Sequence, residues 1–188
     1  MLVSAWRYFL YLYGILLDCL SICNSNDRLS PFLIVTSQFP VQYMGRWHFL
    51  AAAAEPGNRA LDIFTVMDNA QFTVQETEDK EKMVFRASIR IKDGSCVPRR
   101  WIYILHEGTT ELRTEGHPDR LTELYACPCS DCIILKETDN STNRLLLYSR
   151  SPQLEENCMK QFKQMSRCEG YKDVLMIPQT LEPCHLEA

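Results

Sequence analysis

The feature that most constrains this chain is the spacing of its turn residues. From Pro40 onward, short apolar and β-branched runs alternate with Gly, Pro, Asp and Asn, and no helical periodicity appears before position 152. That pattern is an all-β meander. It predicts strands over 47–54, 61–66, 71–76, 83–92, 100–107, 121–126, 133–137 and 144–150, with Asp93-Gly94 and Glu107-Gly108 supplying residues that tight reversals tolerate. Before Pro40, residues 24–40 read as an extended lead-in containing the apolar run 32–35. After the last strand the period changes: Leu154, Cys158, Phe162 and Met165 recur at steps of three and four, predicting an amphipathic helix from Pro152 to about Cys168. Ser151 is positioned to cap it, and Glu155 and Glu156 precede Lys160, Lys163 and Arg167, a charge order that complements the helix dipole. An eight-stranded wall with one helix outside it is the architecture this arrangement favours.

The chain has 188 residues, 46% of them hydrophobic, enough for one domain with a single core. Its net charge of −4 gives no basic excess for nucleic acid. Nine cysteines spread from Cys19 to Cys184 indicate an oxidising compartment and disulfides rather than a metal centre. Arg7 followed by an apolar run to Leu17 reads as a secretory signal, too short to span a bilayer easily. Its cleavage site is poor, because only Ser21 and Cys23 offer small residues. Cleavage after Cys23 would leave seven cysteines, whereas retention leaves eight beyond the apolar run, in addition to Cys19. Residues 1–22 are therefore expected to stay as an N-terminal apolar helix lying in a lipid surface, with residues 23–188 forming the domain. Asn140-Ser141-Thr142 is an N-glycosylation sequon.

Two motifs bring in a family. Gly45-Arg46-Trp47 opening the first strand and the segment from Leu147 to Pro152 before the helix resemble the lipocalin signatures, with about a hundred residues between them. The resemblance implies an eight-stranded antiparallel up-and-down barrel in which Gly45, Trp47 and Arg150 are structural, Arg150 lying across the Trp47 ring. The middle lipocalin signature is missing, replaced by Cys127-Pro-Cys-Ser-Asp-Cys132. A narrower resemblance, to the apolipoprotein M family, covers nearly the whole chain, including the stretches that begin at Lys92, Leu112 and Leu146. It implies secretion, a retained signal peptide, association with high-density lipoprotein, and carriage of sphingosine-1-phosphate by a monomer without a cofactor.

Strand alternation places Arg99, Trp101 and Tyr103 on one face, and Arg144 and Tyr148 on the face shared with Arg150. An arginine on an apolar inner wall is costly unless an anion neutralises it. A ligand phosphate would do so, as would a rim carboxylate. Arg99 and Arg144 are the headgroup candidates, Trp101, Tyr103 and Tyr148 the walls, and Phe72 and Val74 the tail contacts. The resemblance adds Glu137 near the ligand amine. It also places His117 where the family has a third phosphate-contacting arginine, which implies a weaker or more pH-dependent headgroup contact. It pairs Cys23 with Cys168, Cys96 with Cys184, and Cys129 with Cys158, leaving Cys127 and Cys132 to a further local disulfide. The four histidines share no metal-ligand spacing and no catalytic motif is present, so a carrier is favoured over an enzyme. The alternatives are a cleaved, freely soluble lipocalin holding a retinoid or fatty acid, a docking module, and an enzyme using a thiol inside the barrel.

Overall fold

The computed structural model describes residues 6–13, 23, 27–32, 34 and 39–185. Residues 6–13 are helical (α1) and their side chains are exposed. A two-residue strand β1 (Ser30–Pro31) and a short helix α2 (Phe39–Tyr43) precede the main sheet. Eight antiparallel strands then follow in chain order: β2 (Gly45–Ala54), β3 (Met67–Glu76), β4 (Lys82–Ile91), β5 (Cys96–Leu105), β6 (Glu111–Thr114), β7 (His117–Ala126), β8 (Cys132–Thr138) and β9 (Asn143–Ser149). Each pairs with the next, and β9 returns to β2, closing an up-and-down barrel. Closure leaves no free edge in the ring. Helix α3 (Glu156–Cys168) packs outside β2, β8 and β9, and β10 (Asp173–Met176) pairs with the second half of β2.

Two cores result. Inside the barrel Trp47, Phe49, Phe72, Met83, Tyr103, Leu112, Leu135 and Leu146 are buried together, while Leu50, Ala51, Ala53, Ile134, Leu145 and Leu147 form an outer layer beneath Phe162 and Met165 of α3. The run Phe49-Leu50-Ala51-Ala52-Ala53-Ala54 is apolar throughout because β2 is covered on both faces. A register shift between Phe49 and Ala51 lets Leu50 and Ala51 both face outward before alternation resumes at Ala52. Beyond β10 the tail crosses β2, β3 and β4 as a strap. Gln179 donates to the Phe49 carbonyl, the buried Asp68 carboxylate accepts from Thr180 and Leu181, Arg90 holds the Glu182 carbonyl, and Cys184 bonds to Cys96.

Three sequence expectations change. Residues 61–66 are not a strand: Arg59–Phe64 form a 3-10 helix, because the Asn58 side chain accepts from the Ala60 N–H and Thr65 closes the turn on the Asp62 carbonyl. The eighth strand is instead β6, whose four residues are too few for a periodic signal, although Leu112 and Thr114 alternate inward as a strand requires. Helix α3 starts at Glu156 and has no side-chain cap. The Ser151 hydroxyl accepts from the Gln153 N–H in a local bend, since the chain leaving β9 must first swing around the barrel. The apolar face of α3 is as expected, with Cys158, Phe162 and Met165 buried.

Candidate ligand-binding cavity

The closed end is built on Trp47 and Arg150. The Arg150 guanidinium lies 3.7 Å from the centre of the Trp47 ring and donates to the carbonyls of Arg46 and Gln42 at 2.8 and 2.6 Å. The Trp47 indole N–H donates to the Tyr43 carbonyl at 2.9 Å. Gly45 has φ of +88°, so a side chain here would be strained in its backbone, although a Cβ would meet the Arg150 guanidinium only at an ordinary contact distance of 3.7 Å.

Above the plug lies a cavity of about 570 Å³ that opens at the other end of the barrel. Eight of the nine residues expected at the ligand line it: Phe72 from β3, Arg99, Trp101 and Tyr103 from β5, His117 from β7, Glu137 from β8, and Arg144 and Tyr148 from β9. They converge because alternate residues of neighbouring strands point inward at matched heights; Glu137, for example, pairs in register with Arg144. Phe72 and Tyr148 form the floor, their rings edge to face at 5.0 Å. Beneath that floor is an apolar void of about 20 Å³ lined by Val74, Met83 and Leu112. Val74, read as a tail contact, therefore sits below the main cavity. Burial, then the Glu137 charge, raises the pKa of the Tyr103 and Tyr148 phenols above the ordinary tyrosine value, so both remain protonated.

The charges are arranged differently from the simple picture of a free arginine. Arg144 Nε and Nη2 donate to Glu137 Oε2 at 2.8 and 2.6 Å, Nη1 donates to the Ala60 carbonyl at 2.9 Å, and the guanidinium lies 4.5 Å from the Phe64 ring centre. The internal anion is Glu137, and through Ala60 and Phe64 the pair is tied to the 3-10 helix that roofs the mouth. Arg99 is exposed at the mouth and, among the described residues, donates only to the Pro98 carbonyl. His117 is exposed at the rim. Arg120 also lines the cavity, paired with Asp139 Oδ2 at 2.9 Å. Sequence reading missed it because the predicted strand began at residue 121, whereas β7 begins at His117 and places Arg120, Thr122 and Leu124 on the inward parity. Hydrogen bonds from Ser141 and Arg120, together with the Arg120 charge, outweigh burial and hold the Asp139 carboxyl well below the usual range.

Disulfides join Cys23 to Cys168, Cys96 to Cys184, Cys127 to Cys132, and Cys129 to Cys158. Cys19 lies outside the described residues. Among those described, no cluster of His, Cys, Asp and Glu could hold a metal ion.

A closed eight-stranded calyx with a tryptophan–arginine plug, an open apolar cup and one helix outside is the lipocalin fold. The structure of the siderocalin Ex-FABP superposes with a TM-score of 0.62 at 16% identity, covering 78% of this chain and 97% of that one. The ApoM domain family matches residues 1–188. Apolipoprotein M of Rattus norvegicus is 38% identical and that of Mus musculus 36%, each over 187 residues and 98% of both chains. The chain belongs to the apolipoprotein M family.

Proposed function

We propose that this protein is a secreted, lipoprotein-associated carrier of an amphipathic lipid bearing both phosphate and amine, with sphingosine-1-phosphate the ligand of choice. The observation that carries this reading is the Arg144–Glu137 pair inside an apolar cup whose mouth holds Arg99, His117 and Arg120. A ligand with a phosphate and an ammonium inserts between the partners, Arg144 turning to the phosphate and Glu137 to the amine, so one internal ion pair is exchanged for two across the interface and no charge is stranded. A fatty acid satisfies only Arg144, and a retinoid neither. Each CH2 of the tail buried against the aromatic floor adds roughly 0.8 kcal/mol, less ordering costs. A carrier rather than an enzyme is the reading that membership of the apolipoprotein M family supports.

The exposed aromatic and aliphatic side chains of α1, from Trp6 to Tyr13, suit a retained leader embedded in the lipid surface of a high-density lipoprotein particle, and the Cys23–Cys168 bond fixes that leader to the end of α3. Asn140 is exposed in the loop between β8 and β9, accessible to glycosylation.

Tryptophan-fluorescence titration of the monomer with sphingosine-1-phosphate, comparing parent with Arg144→Ala and Arg99→Ala, tests the headgroup assignment. Weaker binding by both variants is expected, and equal affinities overturn it. Lipid extraction and mass spectrometry of the secreted protein identify the cargo; a retinoid, a fatty acid or an empty cup refutes the ligand class. N-terminal sequencing tests the anchor, which a start at Asn24 eliminates.

A further inference from the structure

Outside the barrel, on the face turned away from the cavity, three arginines stand in one line across the sheet. Arg46 on β2 is opposite Thr73 on β3, Thr73 is opposite Arg86 on β4, and Arg86 is directly opposite Arg100 on β5. With neighbouring strands about 4.8 Å apart, Arg86 and Arg100 are one strand spacing from each other and Arg46 is two from Arg86. Like charges directly opposite one another destabilise a sheet, so stability alone does not favour this pair. Among the described residues none of the three side chains has an ion-pair partner, and the Arg86 Nε is buried without an acceptor. The flanking outward residues are uncharged: Gln71 and Gln75 on β3, Ser88 on β4 and Pro98 on β5. The nearby charges are engaged elsewhere, Lys82 with Glu115 and Arg90 with the carbonyls of Gly94 and Glu182. On the same face of β2, burial and then the Arg46 charge lower the affinity of His48 for a proton, as expected beside uncompensated positive charge.

We propose that the Arg46–Arg86–Arg100 row is a binding surface for a sulfated polysaccharide that runs across β2 to β5, with its sulfates on the guanidinium groups. A sulfate presents oxygens to the planar fork of each arginine. A linear polymer with repeated anions matches a linear row of cations. An anionic lipid surface fits less well, because none of the exposed large apolar side chains lies on β2, β3, β4 or β5 themselves; Leu181 is on the strap and Val41 on α2, off the row of arginines. The site is separate from the cavity and does not depend on what fills it.

Immobilised heparin is the probe, with the intact secreted protein eluted by a salt gradient. The parent is expected to be retained at physiological salt. The variant Arg46→Gln/Arg86→Gln/Arg100→Gln is expected to bind on the order of tenfold more weakly, with a salt dependence shallower by up to about one for each arginine removed. A control of equal charge change on α3, Lys160→Gln/Lys163→Gln/Arg167→Gln, is expected to elute with the parent. If the triple row variant does not fold, Arg100→Gln alone, at an exposed position, carries the comparison. The proposal is overturned if the parent flows through, if row and α3 variants lose retention equally, or if the row variant loses binding to phosphatidylserine vesicles while keeping its heparin affinity.

Discussion

Replacing Glu137 by Gln probes the ion pair at the centre of the cavity. The side chains of Arg144 and Glu137 are 8% and 9% exposed, so water does little to screen either charge. The substitution keeps shape and removes the anion, leaving Arg144 with the Ala60 carbonyl and the Phe64 ring as its principal contacts. Stranding one member of a buried pair costs about 3–5 kcal/mol. The cavity opens above the pair, so the lower end of that range is expected. For a domain of this size each kcal/mol lowers the melting temperature by roughly 2–4 °C, which puts the fall near 6–12 °C. Sphingosine-1-phosphate should recover more stability in Glu137→Gln than in the parent, because its phosphate replaces the missing carboxylate. Differential scanning calorimetry with and without lipid reads both effects. A melting temperature within about 2 °C of the parent, or the same lipid-induced rise in both proteins, refutes the reasoning.

Arg150→Ala should cost about 2–3 kcal/mol in urea unfolding, since it removes the stack on Trp47 and two hydrogen bonds to carbonyls at the plug; an unchanged midpoint would mean that the plug is not structural. Asp68→Asn should loosen the C-terminal strap. Burial raises the Asp68 carboxyl, but hydrogen bonds from Thr180, Leu181 and Asn69 outweigh it and hold the group below its usual range. A depressed acid stabilises the fold above its unfolded value, near 3.9, and loses that contribution as pH falls through the folded value. The Asn variant should therefore be about 1–3 kcal/mol less stable at pH 7, with the gap closing below about pH 4; a gap that widens in acid would contradict the sign. Removing the Cys127–Cys132 bridge by paired serine substitutions should cost about 2 kcal/mol, against about 5 for Cys23–Cys168, because the closed segments span 5 and 145 residues; equal losses in denaturant titration would show that loop closure does not set the difference.

Local patterns in the sequence were enough for the all-β meander and the outer helix, whereas the closed barrel, the tryptophan–arginine plug and the places of Glu137 and His117 followed from the family resemblance. Period-two alternation fixes which residues face inward once a barrel is assumed, so Arg99, Trp101, Tyr103, Arg144 and Tyr148 could be assigned to one cavity without coordinates. Where local chemistry competed with that pattern, the reading failed. The Asn58 side chain turned an apolar run into a 3-10 helix, the four residues of β6 carried too little periodicity to register, and the bend at Ser151 delayed the helix. Charge partnership lay further still from the sequence. Arg144 meets Glu137 because two strands distant from the mouth loop run side by side in register, and Ala60 and Phe64 join them only when that loop folds over the rim. Likewise Arg46, Arg86 and Arg100 form a row only through the stagger of four strands. Facing direction is a property of each strand alone, whereas which charge neutralises which, and which stays unpaired, depends on cross-strand register, and that is decided in three dimensions.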